Sequence, residues 1–118
     1  MKKTKIVFLA LFIGVVSLSL IGCPDIPHTV KYQITGTNST VDKVSYVNET
    51  EDEDELYNVS IPWEKTITVT PDNIYIASCS VYPFPGNTYT YTVKIFIDGR
   101  EVTSSKGTKI TTATHVLD

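Results

Sequence analysis

From Val30 onward, apolar and polar positions alternate with a period of two. The stretch VKYQIT puts Val30, Tyr32 and Ile34 on one face and Lys31, Gln33 and Thr35 on the other. Such alternation predicts a strand with one buried side. Gly36-Thr37-Asn38-Ser39 supplies a turn, and VDKVSYV, residues 41–47, a second strand. An acidic stretch from Glu49 to Glu55 interrupts the pattern, which resumes over 56–61 through Tyr57, Val59 and Ile61. Pro62 has no N–H and suits a strand end. EKTITVT (64–70) is rich in β-branched residues and predicts a fourth strand. After a Pro71-Asp72-Asn73 turn, IYIASCSVY (74–82) predicts a fifth, closed by the loop PFPGNT. The longest alternation, YTYTVKIFI (89–97), places Tyr89, Tyr91, Val93, Ile95 and Ile97 on one face. Asp98-Gly99 then signals a type I′ hairpin, because that turn needs positive φ at both central residues. REVTSS (100–105) returns, Lys106-Gly107 turns the chain, and TKITTATHVL (108–117) closes it.

This is seven or eight short strands with turn signals about every ten residues, and no helical period after residue 22. The pattern predicts an all-β fold, an immunoglobulin-like antiparallel sandwich of about seven strands. A small barrel is the alternative. The opposed cysteine pair of antibody domains is absent, so the likeness is one of architecture.

The first residues follow another logic. Lys2, Lys3 and Lys5 precede an apolar run from Ile6 to Ile21, broken only by Gly14, Ser17 and Ser19. Positive charge, apolar core and small residues form the layout of a secretory signal peptide. The run falls short of the roughly 20 apolar residues that a spanning helix needs. It ends at Leu20-Ile21-Gly22-Cys23, which resembles the bacterial lipobox. The small Gly22 gives a peptidase access to the bond before Cys23, and the Cys23 thiol is the expected site of lipid attachment. Two or more acyl chains anchor stably where one does not. The expected division is a signal peptide over 1–22, a lipid-attached tether over 23–29 and a sandwich over 30–118. The alternative is an uncleaved anchor helix with Cys23 incidental. Either arrangement puts the domain outside the cytoplasm, on the cell membrane or an outer membrane.

Cleavage after Gly22 would remove three lysines and take the formal charge from −3 to −6. That balance argues against nucleic acid as a partner and against electrostatic attachment to anionic lipid. The chain has two cysteines. With Cys23 carrying lipid, Cys79 has no partner, and it reads as a small buried apolar residue.

Few residues group into recognisable chemistry. The acidic stretch 49–55 invites calcium, but it lacks the alternating ligands, central Gly and distant Glu of an EF-hand loop. It reads instead as a solvated, mobile hairpin loop. His28 and His115 lie far apart without further ligands at useful spacing, so no metal or other cofactor is expected. No nucleophile elbow or phosphate loop is present. Trp63, Tyr82 and Phe84 are the candidate contacts for a ligand, such as a sugar face, or for a partner. The competing reading packs Trp63 and the tyrosines into the core. The three Asn-x-Ser/Thr triplets at Asn38, Asn48 and Asn58 fall in turn-rich sequence and carry no meaning on a bacterial export route.

Three pieces in order give a family resemblance: Tyr32, Ile34, Thr35 and Gly36; then Ile61, Pro62 and Trp63; then Ile97, Asp98 and Gly99. They resemble the MmpS family of small mycobacterial membrane proteins, over most of residues 32–104. The resemblance implies an immunoglobulin-like sandwich and a non-catalytic accessory role beside a resistance-nodulation-division transporter. Members are typically held by a transmembrane helix, and many carry a cysteine pair. Here a lipobox stands at the N-terminus, and Val93 stands where one cysteine would be.

The sequence thus predicts a lipid-anchored, non-enzymatic extracytoplasmic module acting by protein contact, with an envelope transporter as a candidate partner. A surface ligand-binding or adhesive module is the alternative. Replacing Cys23 by Ser is expected to abolish incorporation of labelled fatty acid and to leave a precursor of higher mass. Unchanged processing and membrane retention would contradict lipid attachment.

Overall fold

Alternation becomes two buried faces in the computed structural model, which describes residues 26–71 and 74–117. Eight strands form: β1 (His28–Gly36), β2 (Thr40–Val47), β3 (Glu53–Ser60), β4 (Trp63–Val69), β5 (Tyr75–Tyr82), β6 (Tyr91–Ile97), β7 (Arg100–Gly107) and β8 (Thr111–Leu117). They make two four-stranded antiparallel sheets, β4-β1-β6-β7 and β3-β2-β5-β8. In the first sheet, Val30, Tyr32 and Ile34 stand opposite Ile97, Ile95 and Val93. All six are buried. In the second, Tyr75, Ala77, Cys79 and Val81 of β5 meet Val44 and Tyr46 of β2 and Ala113 of β8 in one core.

The connections explain the immunoglobulin-like pattern. β1 pairs with β4 while β2 pairs with β5. These are the pairings of strands B with E and C with F in an immunoglobulin domain. β8 flanks β5 as strand G flanks F. The β6–β7 hairpin occupies the other side of β1. Its turn has Asp98 at φ 52° and Gly99 at φ 82°, the two positive values that a type I′ turn requires.

Several boundaries differ from the sequence reading. β3 starts at Glu53, so the last three of the seven residues of the acidic stretch are strand rather than loop. Trp63 opens β4 instead of standing in the break, and β1 begins at His28, two residues ahead of Val30. Tyr89 precedes β6 and is 48% exposed, so it does not share the buried face of Tyr91. Lys106-Gly107 belongs to β7, and the chain turns over residues 108–110. β2 also breaks strict alternation: Val41 and Val44, three apart, are both fully buried. Between the Val41–Val59 and Lys43–Tyr57 pairs the ladder is interrupted at Asp42 and Asn58, and Asn58 has φ 52°.

The largest fully buried side chains are Tyr32, Tyr75 and Tyr91. A buried hydroxyl without a partner costs about 1–3 kcal/mol, and each of these has one. Tyr32 donates to the Val47 carbonyl at 2.7 Å, and Tyr75 donates to the Asn48 carbonyl at 2.8 Å. Tyr91 donates to Asn87 Oδ1 and accepts from Asn38 Nδ2, each at 3.2 Å. Burial raises the pKa of Tyr32 and of Tyr75, so both remain donors. At the end of β1 the backbone runs against Tyr91: a Cβ on Gly36 would lie 2.7 Å from that ring, so the position has no room for a side chain.

Cys79 is a free thiol with no exposed surface. Burial alone pushes its pKa up to about 12. The thiolate is the reactive form, so native Cys79 is expected to resist iodoacetamide at neutral pH and to react fully in denaturant. Rapid modification of the folded protein, read by mass, would contradict this packing.

Candidate functional site

The strand directions sort the candidate residues to two ends of the sandwich. At one end lie the start of β1, the turn between β2 and β3, the Asp98-Gly99 turn, the entry to β5 and the end of β8. At the other lie the connections 37–39, 61–62, 83–90 and 108–110. The chain enters the sandwich at the first end, so the second is the far end. Gly22 and Cys23 fall outside the described residues.

Trp63, Tyr82 and Phe84 are not gathered into one patch. Trp63 is partly buried against the core, its ring centroid 5.6 Å from that of Tyr46. Tyr46 in turn lies 5.7 Å from Tyr32, so the indole caps a row of core aromatics. Tyr82 is half-buried, with the Lys43 ammonium 4.2 Å above its ring. Phe84 is the open one, at 38% exposure. It lines a groove of about 350 Å³ with Pro83, Pro85, Gly86, Lys109 and the exposed Ile110. Neither Trp63 nor Tyr82 reaches this groove. Ile110 gave no signal in the sequence, because its partner loop is distant along the chain.

The acidic stretch is built, not loose. Asn48 is buried, and its Oδ1 accepts from the Thr50 N–H at 2.9 Å, the Thr50 hydroxyl at 2.8 Å and the Asp52 N–H at 3.1 Å. The Asn48 N–H donates to the Asp52 carbonyl at 2.8 Å, closing the turn. An asparagine accepting from the backbone two residues on is the expected Asx arrangement. Further along, the Ser45 hydroxyl donates to Glu53. The Tyr57 hydroxyl and the Lys43 ammonium together hold the Glu55 carboxyl below its usual pKa. Glu53 and Glu55 are thus engaged by donors of the sheet, while Glu49 and Glu51 stand exposed. Among the described residues, no group of three or more His, Cys, Asp or Glu is placed to hold a metal ion.

One polar contact had no sequence signal. His28 Nδ1 lies 2.6 Å from Asp98 Oδ2, and the Thr29 N–H donates to Asp98 Oδ1 at 2.9 Å. The His28 hydrogen bond, then that from Thr29, lowers the Asp98 pKa. Asp98 therefore ties the β6–β7 turn to the first residues of β1, where the chain enters the fold. His115 lies on the other sheet, on β8 opposite Ala77.

Taken together, the described surface has a pinned acidic turn at one end and an apolar groove at the other. The polar side chains inside are committed to holding strands and turns. The sequence model of the family described as Mycobacterium membrane protein matches residues 22–117, which includes every strand of the sandwich. No curated protein matches the chain. The chain belongs to the Mycobacterium membrane protein family, the MmpS-like membrane proteins that its three ordered motifs resemble.

Proposed function

We propose that this protein is a lipoprotein, anchored by acyl chains on Cys23, whose sandwich stands on the extracytoplasmic side of the membrane. It acts by contact rather than by chemistry, as an accessory to an envelope protein. A resistance-nodulation-division transporter is the partner that MmpS-like membership favours. The observation that carries this reading is membership of a membrane-protein family across the whole sandwich. The site geometry supports it. The buried thiol, the bonded tyrosines and the paired carboxylates stabilise the fold, and the groove at the far end offers Phe84 and Ile110 to a partner. Aromatic and aliphatic anchors in a concave patch are the usual centre of a protein contact.

A second reading, a surface module that binds a small ligand or adheres, rests on the same groove. Of its three aromatic candidates only Phe84 lines that groove, and one open ring is a slender platform for a sugar. Crosslinking in intact membranes, followed by recovery through this chain, is expected to yield a multi-span transporter. Phe84→Asp is expected to cut the yield by about tenfold, the effect of losing one anchor residue. Repeated recovery of no envelope protein, or a yield indifferent to Phe84→Asp, would overturn the proposal.

A further inference from the structure

The end at which the chain enters the sandwich carries apolar side chains on an outer face that none of the described residues covers. Ile76 on β5 stands directly opposite Val116 on β8. Both point away from the core, since their neighbours Tyr75, Ala77 and Leu117 pack into it or against it. Each is 51% exposed, and Ile74, two residues before Ile76, is 57% exposed. Further along the same two strands the outer face turns polar: Ser78 meets Thr114 at 3.3 Å, and Ser80 meets Thr112 at 2.7 Å. On β5 and β8 the exposed aliphatic side chains thus lie at the entry end, while Tyr82, on the same face at the far end, is covered by Lys43. Ile26, 62% exposed, precedes β1 at that end.

The geometry points to this patch as the surface on which the domain rests on the bilayer. The inference rests on the attachment at Cys23 proposed above and adds an orientation to it. Cys23 and His28 are five residues apart, so the tether reaches at most about 17 Å. A domain held that closely brings its entry end to the membrane surface, and branched side chains there gain by leaving water. Charge selects the kind of surface. Glu49, Glu51 and Asp52 in the β2–β3 turn and Asp98 in the β6–β7 turn lie at this end and are all exposed, and they outnumber the exposed Arg100 at the start of β7. They repel anionic headgroups, so the contact is apolar and made with a neutral interface. The outer face lies down, and the Phe84 groove at the opposite end is left open to a partner.

The test uses the full acylated chain in neutral phosphatidylcholine vesicles containing brominated acyl chains. Cys79 is buried and Cys23 is blocked by lipid, so a new surface cysteine is the only reactive thiol. An environment-sensitive fluorophore on Val116→Cys is expected to shift to the blue and to be quenched by the brominated lipid. The same probe on Thr88→Cys, in the far loop, is expected to show neither effect. Adding Ile76→Asp should return the probe at 116 to the behaviour of the probe at 88. Equal quenching at 116 and 88 would overturn the inference. So would a blue shift at 116 that scales with protein density and not with bromination, since a second copy would then cover the patch. The mass of the N-terminal peptide separates the two claims. If it carries no acyl chain, the anchoring reading fails. The same pair of probes on the Cys23→Ser chain, held by residues 1–22, then decides the orientation.

Discussion

Two phenol hydroxyls donating to the carbonyls where β2 passes into its turn set the terms for much of this fold. Tyr32 and Tyr75 fill the centre of the sandwich where no disulfide is available, and their size carries their oxygens to the edge of the core. The oxygens need acceptors there, and the carbonyls of Val47 and Asn48 supply them. This fixes the place where β2 ends. Asn48, held at the margin of the core, then organises the turn through its own side-chain oxygen. An acidic segment that would repel itself in isolation is thereby given a definite path. Packing in the core and order in the turn are one arrangement.

The acidic residues have a second physical consequence. β3 and β4 are sheet edges on one side of the sandwich. An exposed edge invites pairing with another chain, and charged residues along it oppose such pairing. β3 carries Glu53, Asp54 and Glu55, and β4 carries Glu64 and Lys65. On the other side, β7 and β8 approach each other, and the Thr103 hydroxyl donates to the Thr114 carbonyl at 3.3 Å. Strand addition is discouraged on both sides. The apolar groove at the far end and the apolar patch near the point of entry are left open for contact.

The fold was legible because sandwich strands write their burial into the sequence. Val30, Tyr32 and Ile34, and Tyr91 through Ile97, alternate as a one-sided strand must, and Asp98-Gly99 declares its turn through backbone sterics. The start of β3 was hidden because Glu53 and Glu55 have low strand propensity; cross-strand bonds from Ser45 and Lys43 override it. Tyr89 continued the alternation on paper but lies beyond the point where β6 loses its neighbours. The site was less legible. Trp63 in a sequence shows no difference between a sugar platform and a core cap, and contact with Tyr46 decides for the cap. Phe84 with Ile110, Ile76 with Val116, and His28 with Asp98 are pairs distant in sequence. Only the topology brings them together.

The claim that the tyrosine hydroxyls join core to turn is tested most directly by urea unfolding of Tyr32→Phe and Tyr75→Phe, with amide exchange followed at Thr50 and Asp52. Each substitution keeps the ring and removes only the donor. Each substitution is expected to cost about 1–2 kcal/mol, with faster exchange at both turn amides. Unchanged stability together with unchanged protection of Thr50 and Asp52 would contradict it.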